Sequence, residues 1–317
     1  TIEIISGKWR RYFSAQNFLD IFKVIAGVLK AFFVLFTMMP DVVFSKGGYG
    51  SIPVVFVAII YRIPLIIHES DSVPGTVNAL ASRFASRVAV SFESTLKFLP
   101  KKTSVGLVGN PVRRQILGGG REAANEELAI FTKRLVVLMM GGSQGSQILN
   151  STALGAIKEL AHEFEIIHQT GESLFQDTKG EAGAILSKED LVFYHPYAFF
   201  DDRTLRNAYA TADIIVSRAG AGSIFEIAAV GKPSILIPLK NSAQEHQKNN
   251  AYEYANCGAA IVIEEENLTP NVFLNEIRKL AADEPRRKIM SEQAALFAKV
   301  NAAELIAKEI LTLGLHL

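Results

Sequence analysis

The stretch LVVLMMGGSQGS, residues 135–146, decides the fold class, because it joins six consecutive apolar residues to a glycine-rich turn. A helical pattern follows at 147–160. An uninterrupted apolar run is typical of a parallel strand buried on both faces, and a glycine turn before a helix lets the backbone approach a phosphate. The stretch therefore predicts a Rossmann-like unit with an anion-binding turn, although such glycines can also serve the turn alone.

The same strand–glycine–helix arrangement occurs twice more. Residues 41–45 lead into SKGGYGS at 45–51, where Pro53 suits the first turn of the next helix, and residues 214–217 lead into SRAGAGS at 217–223. Three such junctions in one chain favour a cleft lined by phosphate and sugar contacts over turn chemistry alone.

Short apolar runs alternate with helical patterns along the whole chain, which predicts parallel sheets covered by helices on both sides. A boundary is visible near GNPVR at 109–113, followed by three glycines at 118–120. Helices are predicted at 223–230 and 244–256, and the tail from about 285 is helical only. Strands are predicted at 41–45, 65–68, 88–91, 135–140, 165–169, 191–194, 214–217, 234–238 and 260–263.

Composition excludes several classes of protein. With 33 basic and 32 acidic residues the net charge is +1, so the chain is not a general nucleic-acid binder. The single cysteine, Cys257, cannot form an internal disulfide or a thiolate metal cluster, and no Asp-x-Asp pair is placed for a nucleotide-bound metal, so we predict no metal. The apolar segment 18–39 is interrupted by three charged residues, which argues against a membrane-spanning helix.

Polar residues near the predicted strand ends are candidates for a ligand site. Glu226, placed in the first turn of its helix, could accept hydrogen bonds from the two ribose hydroxyls, although the helix dipole also favours a carboxylate there. Gln247 shares a helix face with Asn250, as does His246, so these side chains could converge on sugar hydroxyls or be solvated helix surface. At another strand end, His68-Glu69-Ser70-Asp71 should face the ligand crevice, whereas His168 and His195 fit structural roles better.

Six motifs in this order and spacing resemble one family, MurG, which transfers N-acetylglucosamine (GlcNAc) in bacterial peptidoglycan synthesis. The motifs are GGY at 47–49, HE at 68–69, GNPVR at 109–113, GGSQG at 141–145, SRAGA at 217–221, and HQ at 246–247 with NA at 250–251. The resemblance covers nearly the whole chain. It implies an α/β, GT-B glycosyltransferase fold, in which two Rossmann-like domains face a cleft. The domains would be 1–112 and 113–298, with a last helix at about 299–317 packing back on the first domain.

The resemblance also implies an activity. The enzyme would move GlcNAc from UDP-GlcNAc to the C4 hydroxyl of the muramoyl sugar of lipid I, with inversion, to form lipid II, and would use no cofactor. It would work as a peripheral protein on the cytoplasmic face of the cell membrane, with an anionic membrane surface and cell-wall synthesis proteins as partners.

Roles carry over to individual residues of this sequence. Arg113 and Ser143 would contact the donor phosphates, Glu226 its ribose, and Gln247 and Asn250 its GlcNAc hydroxyls. Phe200 falls near the place where the family binds uracil through backbone groups. The substrate-binding set is completed by Asp71, Arg218, Gly220, Ala221, Gly222, Ser223 and His246, and Tyr49, His68 and Glu69 are assigned supporting roles.

Two departures from the family pattern stand out. Asp71 replaces a frequent asparagine, which exchanges an amide donor for a carboxylate. The chain also begins at Thr1, beyond a first glycine loop that ends in the family's proposed general base, a histidine. The incomplete first Rossmann unit suggests that about fifty to sixty residues are missing, so this chain could bind the donor and yet fail to transfer. The catalytic base is therefore unassigned.

The apolar segment 18–39 has a stripe of side chains at helical spacing that we predict to lie in the hydrophobic core: Phe18, Ile21, Phe22, Ile25, Leu29, Phe32 and Phe36. Leu19, Val24 and Phe33 lie outside it. With the basic residues Lys8, Arg10, Arg11, Lys23 and Lys30 nearby, they could dock on anionic lipid head groups.

Two other interpretations stay open from the sequence. Another UDP-sugar enzyme of the GT-B fold, such as a glycolipid glycosyltransferase or a UDP-GlcNAc 2-epimerase, shares the fold and the nucleotide logic. A non-catalytic protein that binds UDP-sugars would account for the absent first loop.

Overall fold

The computed structural model describes residues 1–6 and 15–315, without the side chains of 15–19 and 21. Lys8, Arg10, Arg11 and the side chains of Phe18, Leu19 and Ile21 therefore lie outside the described part. The chain divides into two compact units, Thr1–Asn110 with Asn301–Leu317, and Pro111–Val300.

The helices and strands alternate along the chain, as predicted. In order they are α1 (Ala15–Met38), β1 (Val43–Ser45), α2 (Ile52–Ile60), β2 (Leu65–Glu69), α3 (Thr76–Ala81), β3 (Arg87–Val90), β4 (Val105–Leu107), α4 (Arg121–Glu127), β5 (Val136–Met140), α5 (Gln147–Gly155), α6 (Ile157–Glu163), β6 (Glu165–Gln169), α7 (Phe175–Ile185), β7 (Tyr194–Tyr197), α8 (Asp202–Thr211), β8 (Ile214–Ser217), α9 (Ala221–Ala229), β9 (Ser234–Leu236), α10 (His246–Asn256), β10 (Ala260–Val262), α11 (Pro270–Ala282), α12 (Glu284–Phe297) and α13 (Ala302–Gly314).

Two differences from the predicted strands have local causes. The strand predicted at 191–194 is wrong, because 191–193 forms a 3₁₀ turn and β7 begins only at Tyr194. Strand β4 was not predicted, since its three residues include Gly106 and form no apolar run. The helix predicted at 147–160 is broken near Ala156 into α5 and α6.

The second unit contains a parallel sheet of six strands in the order β7-β6-β5-β8-β9-β10. The chain first winds from β5 outward to β7, then crosses back beside β5 and continues from β8 to β10. This is the doubly wound order of a Rossmann sheet, and it places a switch point between β5 and β8. Ligands bind such sheets at the carboxyl ends of the strands that flank the switch point.

The first unit contains a parallel sheet in the order β1-β2-β3-β4. Its core lies between this sheet and helices α1 and α2, around Ala31, Val57 and Ile67. Helix α13 belongs to the same unit, where Glu309 Oε1 accepts a hydrogen bond from Arg87 Nε at 2.8 Å.

The predicted core stripe of α1 is wrong where side chains are described. Gly27, Ala31 and Leu35 are buried instead. A Cβ atom on Gly27 would lie 2.0 Å from the carbonyl oxygen of Ile5 and 3.1 Å from Pro53 Cγ, so the helix packs through its smallest residues. The larger side chains therefore lie on exposed faces, including the stripe members Phe22, Ile25, Leu29, Phe32 and Phe36.

Candidate functional site

The switch point of the second unit brings two glycine turns to one edge of the sheet. Met140 and Ser217, the last residues of β5 and β8, are paired in register. The turns that follow lead into α5 and α9, so two helices begin side by side at this edge. Free backbone N–H groups and the positive end of the dipole make each helix start favourable for an anion.

Glycines in the first turn serve two different purposes. Gly145 has φ +77°, and a Cβ atom there would lie 2.1 Å from the carbonyl oxygen of Thr170, so the backbone needs glycine for close packing. Gly142 has φ +87° with open space around it, as Gly220 has in the second turn. The open glycines leave the backbone accessible, whereas Gly145 holds the turn in shape.

Two pockets open at this edge and share Gly142, Ser143 and Ser223 in their walls. The larger pocket, about 750 Å³, also contains Arg218, Gly220 and Gln247. The smaller pocket, about 470 Å³, is lined by Arg113, Phe199, Phe200, Tyr209, Gly222, Glu226 and six other residues. Both volumes are in the range of small-molecule sites. The structure thus gathers Arg113, Ser143, Phe200, Arg218, Gly220, Gly222, Ser223, Glu226 and Gln247 in one continuous groove.

Glu226 lies in the second turn of α9 and not in the first, because the helix begins two residues before the predicted start, at Ala221. Its carboxylate is held by a pair of hydrogen bonds from Arg113, Nε to Oε1 at 2.9 Å and Nη2 to Oε2 at 3.2 Å. Tyr209 donates from its hydroxyl to Oε2 at 3.3 Å. The carboxylate is therefore fixed in orientation at the wall of the smaller pocket, a requirement for a group that must meet two hydroxyls at once.

Arg113 connects two acidic side chains. Besides Glu226, it donates from Nη1 to Asp202 Oδ1 at 2.7 Å. Hydrogen bonding to Glu226 raises the pKa of Arg113 further above its ordinary value, and the charge of both carboxylates adds to this effect. The Arg113 side chain keeps 45% of its surface exposed, so it remains accessible to a phosphate.

Arg218 is buried, and its guanidinium group donates hydrogen bonds to other residues of the second unit. Its Nη2 donates to Ser146 Oγ at 2.7 Å and to Glu265 Oε1 at 2.9 Å, and its Nη1 donates to the Ile237 carbonyl at 3.2 Å. Burial raises the pKa of Glu265, but hydrogen bonds from the Lys240 backbone and Arg218 outweigh that effect and lower it. Arg218 thus connects three loops beneath the groove. It also lines the larger pocket.

The three residues of α10 that we predict to contact the sugar, His246, Gln247 and Asn250, do not line one pocket together. Gln247 lines the larger pocket, and its Oε1 accepts a hydrogen bond from the Leu239 backbone at 3.0 Å. Asn250 is fully buried and donates from Nδ2 to the Ala219 carbonyl at 3.4 Å, which places it behind the second glycine turn. His246 bonds through Nδ1 to the Ala243 carbonyl at 2.5 Å. Only Gln247 is presented to the groove, and sugar contacts by Asn250 and His246 stay predictions.

The candidates of the first unit organise a loop. Glu69 accepts hydrogen bonds from the backbone of Asp71 and Gly75, both at 3.0 Å, and from Asn78 Nδ2 at 2.9 Å. Burial raises the pKa of Glu69, although these bonds oppose the rise. The carboxylate therefore closes the segment between β2 and α3 on itself, and Asp71 lies in that segment.

His68 is buried at the end of β2. Its Nε2 lies 2.9 Å from the Gly109 carbonyl and 3.3 Å from Ser91 Oγ. Burial lowers the pKa of His68 to about 4, so the ring is neutral at pH 7. Tyr49, in a short 3₁₀ turn after β1, is 37% exposed. Of the three supporting residues, Tyr49 alone offers substantial surface to a ligand.

Sequence reasoning missed Gln169 and Tyr209, which both line the smaller pocket. Gln169 is the last residue of β6, so its position at the end of a parallel strand was a usable signal. Tyr209 lies inside α8, and nothing in the local pattern distinguishes it from a core residue.

Comparison with known proteins gives consistent results. Residues 136–309 match the profile described as "Glycosyltransferase family 28 C-terminal domain", and residues 1–90 match "Glycosyltransferase family 28 N-terminal domain". A UDP-N-acetylglucosamine–N-acetylmuramyl-(pentapeptide) pyrophosphoryl-undecaprenol N-acetylglucosamine transferase of Treponema denticola is 38% identical, over 96% of this chain and 81% of that protein. The Clostridium kluyveri transferase of the same name is 39% identical, over 87% and 76%.

Solved structures agree. The crystal structure of Acinetobacter baumannii MurG matches with a TM-score of 0.74 and 28% identity, over 92% of this chain and 79% of that one. A Neisseria meningitidis UDP-GlcNAc 2-epimerase bound to UDP-GlcNAc matches with a TM-score of 0.66 at 14% identity, over 96% and 84%, which shows a shared fold only. The predicted GT-B fold is confirmed. The chain belongs to the MurG family of N-acetylglucosamine transferases, within glycosyltransferase family 28.

Proposed function

We propose that the chain transfers GlcNAc from UDP-GlcNAc to the C4 hydroxyl of the muramoyl sugar of lipid I, which produces lipid II. The observation that carries this proposal is the sequence identity of 38%, over 96% of the chain, to the Treponema denticola N-acetylglucosamine transferase. The groove of the second unit supplies what a nucleotide-sugar donor requires, which is two helix starts for the diphosphate and a fixed carboxylate for the ribose.

We infer the orientation of the bound donor from the two pockets. The nucleoside would occupy the smaller pocket, where Glu226 accepts hydrogen bonds from the ribose hydroxyls and aromatic side chains line the wall. The diphosphate would lie at the shared wall of Gly142, Ser143 and Ser223, within reach of Arg113. The GlcNAc would enter the larger pocket, which Gln247 lines.

Transfer with inversion is a single displacement. The acceptor oxygen forms a bond to the anomeric carbon while the bond from that carbon to the phosphate oxygen breaks, and the acceptor proton passes to a base. Negative charge builds on the departing UDP. The backbone N–H groups of Ala221, Gly222 and Ser223 at the start of α9 would stabilise that charge, because they are oriented before the reaction begins.

Helix α1 supports the proposal of a peripheral position at the membrane. Within the described residues, no helix has the length and apolar character needed to cross a bilayer. Large side chains of α1 are nevertheless exposed, for example Phe22 by 56%, Phe33 by 68% and Phe36 by 63%. Lys23 and Lys30 are exposed on the same helix. An apolar surface with adjacent cations fits the interface of an anionic bilayer, which we propose to be the cytoplasmic face of the cell membrane.

Radioactive transfer from UDP-GlcNAc to a lipid I analogue, measured with the purified protein, tests the activity. We expect a lipid II product that carries the label. Label transferred only to other acceptors, or free GlcNAc epimerised at C2, would refute the assignment.

Co-sedimentation with vesicles that contain anionic lipid tests the membrane position. We expect the double variant Lys23→Glu/Lys30→Glu to bind such vesicles less than wild type, with each charge contributing on the order of 1 kcal/mol. Lys188→Glu, an exposed lysine of the second unit, is the matched control and should bind as wild type does. Unchanged sedimentation of the double variant would remove support for this surface.

A further inference from the structure

Glu265 lies in the short 3₁₀ turn after β10, and its side chain keeps only 11% of its surface exposed. It lines the larger pocket together with Arg218 and Gln247. Both of its oxygens are engaged, since Oε1 accepts from Arg218 Nη2 at 2.9 Å and Oε2 accepts from the backbone N–H of Lys240 at 2.7 Å. One carboxylate therefore connects two separate parts of the pocket wall.

The contact with Arg218 leads to the start of α5. Arg218 Nη2 also donates to Ser146 Oγ at 2.7 Å, and that hydroxyl caps the helix by accepting from the backbone of Leu149 at 3.3 Å. The Arg218 side chain is only 10% exposed, so it needs a carboxylate partner to offset the cost of burying its charge. Glu265 provides that partner and holds Arg218 against the cap of α5.

The contact with Lys240 leads to Gln247. Lys240 directly follows Leu239, whose backbone N–H donates to Gln247 Oε1 at 3.0 Å. The loop after β9 is thus held by Glu265 at one residue and bonded to Gln247 at the residue before it. Because the Gln247 oxygen is bonded to this loop, a displacement of the loop would also displace the Gln247 carboxamide.

The segment between this loop and Gln247 is strained. Gln244 and Glu245 are consecutive non-glycine residues with φ of +54° and +55°. Left-handed backbone angles at such residues cost free energy and persist only where surrounding contacts hold them. The hydrogen bond from Lys240 to Glu265 fixes the beginning of the segment. The orientation of Gln247 therefore depends on a contact outside its own helix.

We propose that Glu265 is a positioning residue for the donor sugar, because it holds the loop after β9 so that Gln247 presents its NH₂ group to the GlcNAc hydroxyls. This inference rests on the proposed function and extends it to a residue that acts through Gln247 and takes no part in bond breaking. The role requires a carboxylate. An amide could accept only one of the two bonds, since its NH₂ group would face the other donor.

Calorimetry on Glu265→Gln with UDP-GlcNAc and UDP tests the proposal. We expect the variant to bind UDP-GlcNAc about 5- to 30-fold more weakly than wild type, the loss that follows when one hydrogen bond is misplaced. UDP lacks the sugar and should lose about threefold at most. Glu265→Asp, which is too short to span both donors, should show the same selective loss. Glu266→Gln is the matched control, because this exposed carboxylate of the same turn pairs only with the Lys240 side chain, at 2.9 Å.

A double variant with Gln247→Ala shows whether Glu265 acts through Gln247. In that background Glu265→Gln should cause no further loss of UDP-GlcNAc affinity, because the contact it positions is already absent. A further loss as large as in the wild-type background would overturn the proposal, as would equal UDP-GlcNAc affinity of Glu265→Gln and wild type.

Thermal unfolding without ligand separates positioning from a structural role. A lowered midpoint of Glu265→Gln, with UDP weakened as much as UDP-GlcNAc, would show a structural role alone and overturn the proposal. Wild type that binds neither UDP-GlcNAc nor UDP would instead refute the proposed function, and this inference with it.

Discussion

The two units each contain a strand that runs into paired glycines with similar backbone angles, yet the two turns have different surroundings. Gly47 and Gly48 have φ of +84° and +81°, and Gly142 and Gly145 have φ of +87° and +77°. In the first unit, the space beside Gly47 is filled by Asn78, whose Oδ1 would lie 2.5 Å from an added Cβ atom, whereas Gly48 has open space beside it. In the second unit, the space beside Gly142 is open and belongs to the groove.

Hydrogen bonding separates the two turns as well. The backbone N–H of Gly47 donates to Ser45 Oγ at 3.1 Å, so it is not free for a ligand. In the second unit, Ser146 begins α5 by accepting from Leu149 N at 3.3 Å, and the turn before it lines a pocket of about 750 Å³. Glycine is needed in both turns for the backbone angle, but only the neighbours decide whether a ligand can enter.

Alanine at Gly145 should have the largest effect. The variant Gly145→Ala must adopt a left-handed angle and avoid a contact of 2.1 Å with the Thr170 carbonyl. We expect a loss of about 3 kcal/mol or more in the free energy of unfolding, and UDP affinity reduced more than tenfold. Gly47→Ala should also lower stability but leave UDP affinity unchanged. Denaturant unfolding and calorimetry measure both, and UDP affinity reduced equally in the two variants would break the comparison.

Removing the carboxylate of Glu226 tests the proposed ribose contact. Glu226→Ala should weaken UDP-GlcNAc binding by about 1.5–3 kcal/mol, the range for a hydrogen bond to a charged group. Its counterpart is Glu309→Ala, which removes the hydrogen bond to Arg87 in the first unit and should leave donor affinity unchanged. Equal donor affinity of Glu226→Ala and wild type in calorimetry would exclude the ribose role.

Acid should destabilise the first unit through His68. Its pKa is about 4 in the folded protein and about 6.5 when unfolded, so the unfolded chain binds a proton more tightly. The contribution of neutral His68 to the free energy of unfolding is therefore complete above about pH 6.5 and is lost as the pH falls toward 4. Between pH 8 and pH 5 we expect wild type to lose roughly 2 kcal/mol more than His68→Gln in the free energy of unfolding. Parallel pH profiles of the two proteins would contradict this expectation.

The smallest expected effect is that of a single hydroxyl. Ser143→Ala removes a donor from the wall shared by the two pockets and should weaken UDP binding by about 1 kcal/mol. Ser51→Ala, at the corresponding junction of the first unit, should not change UDP affinity. A larger loss for Ser51→Ala than for Ser143→Ala in calorimetry would reverse the roles of the two turns.

Much of the fold could be predicted because its signals are local. Strands such as β5 and β8 are apolar runs, and the turns after them need glycine, so both are visible in a few consecutive residues. Helix α1 shows the limit. Its stripe of large apolar residues predicted the buried face, but Gly27 and Ala31 are buried instead, because close approach to Pro53 and Ile5 leaves room only for small residues.

The candidate site likewise combines residues that the local sequence predicts with contacts that it does not. Ser143, Gly220 and Glu226 were found because they follow strands of a parallel sheet or belong to the helix after one. The hydrogen bonds from Arg113 and Tyr209 to Glu226 were not found, since they join residues 113 and 17 positions apart.

By itself, the sequence determined that this chain folds as alternating strands and helices and that one edge of a sheet carries glycine turns suited to a phosphate, because side-chain periodicity and backbone sterics act over a few residues. Only the tertiary structure decided which glycine turn opens into a pocket, that Asn250 is buried while Gln169 lines a wall, and which face of α1 is exposed. Those outcomes depend on which distant side chains fill each space, and local pattern does not contain that information.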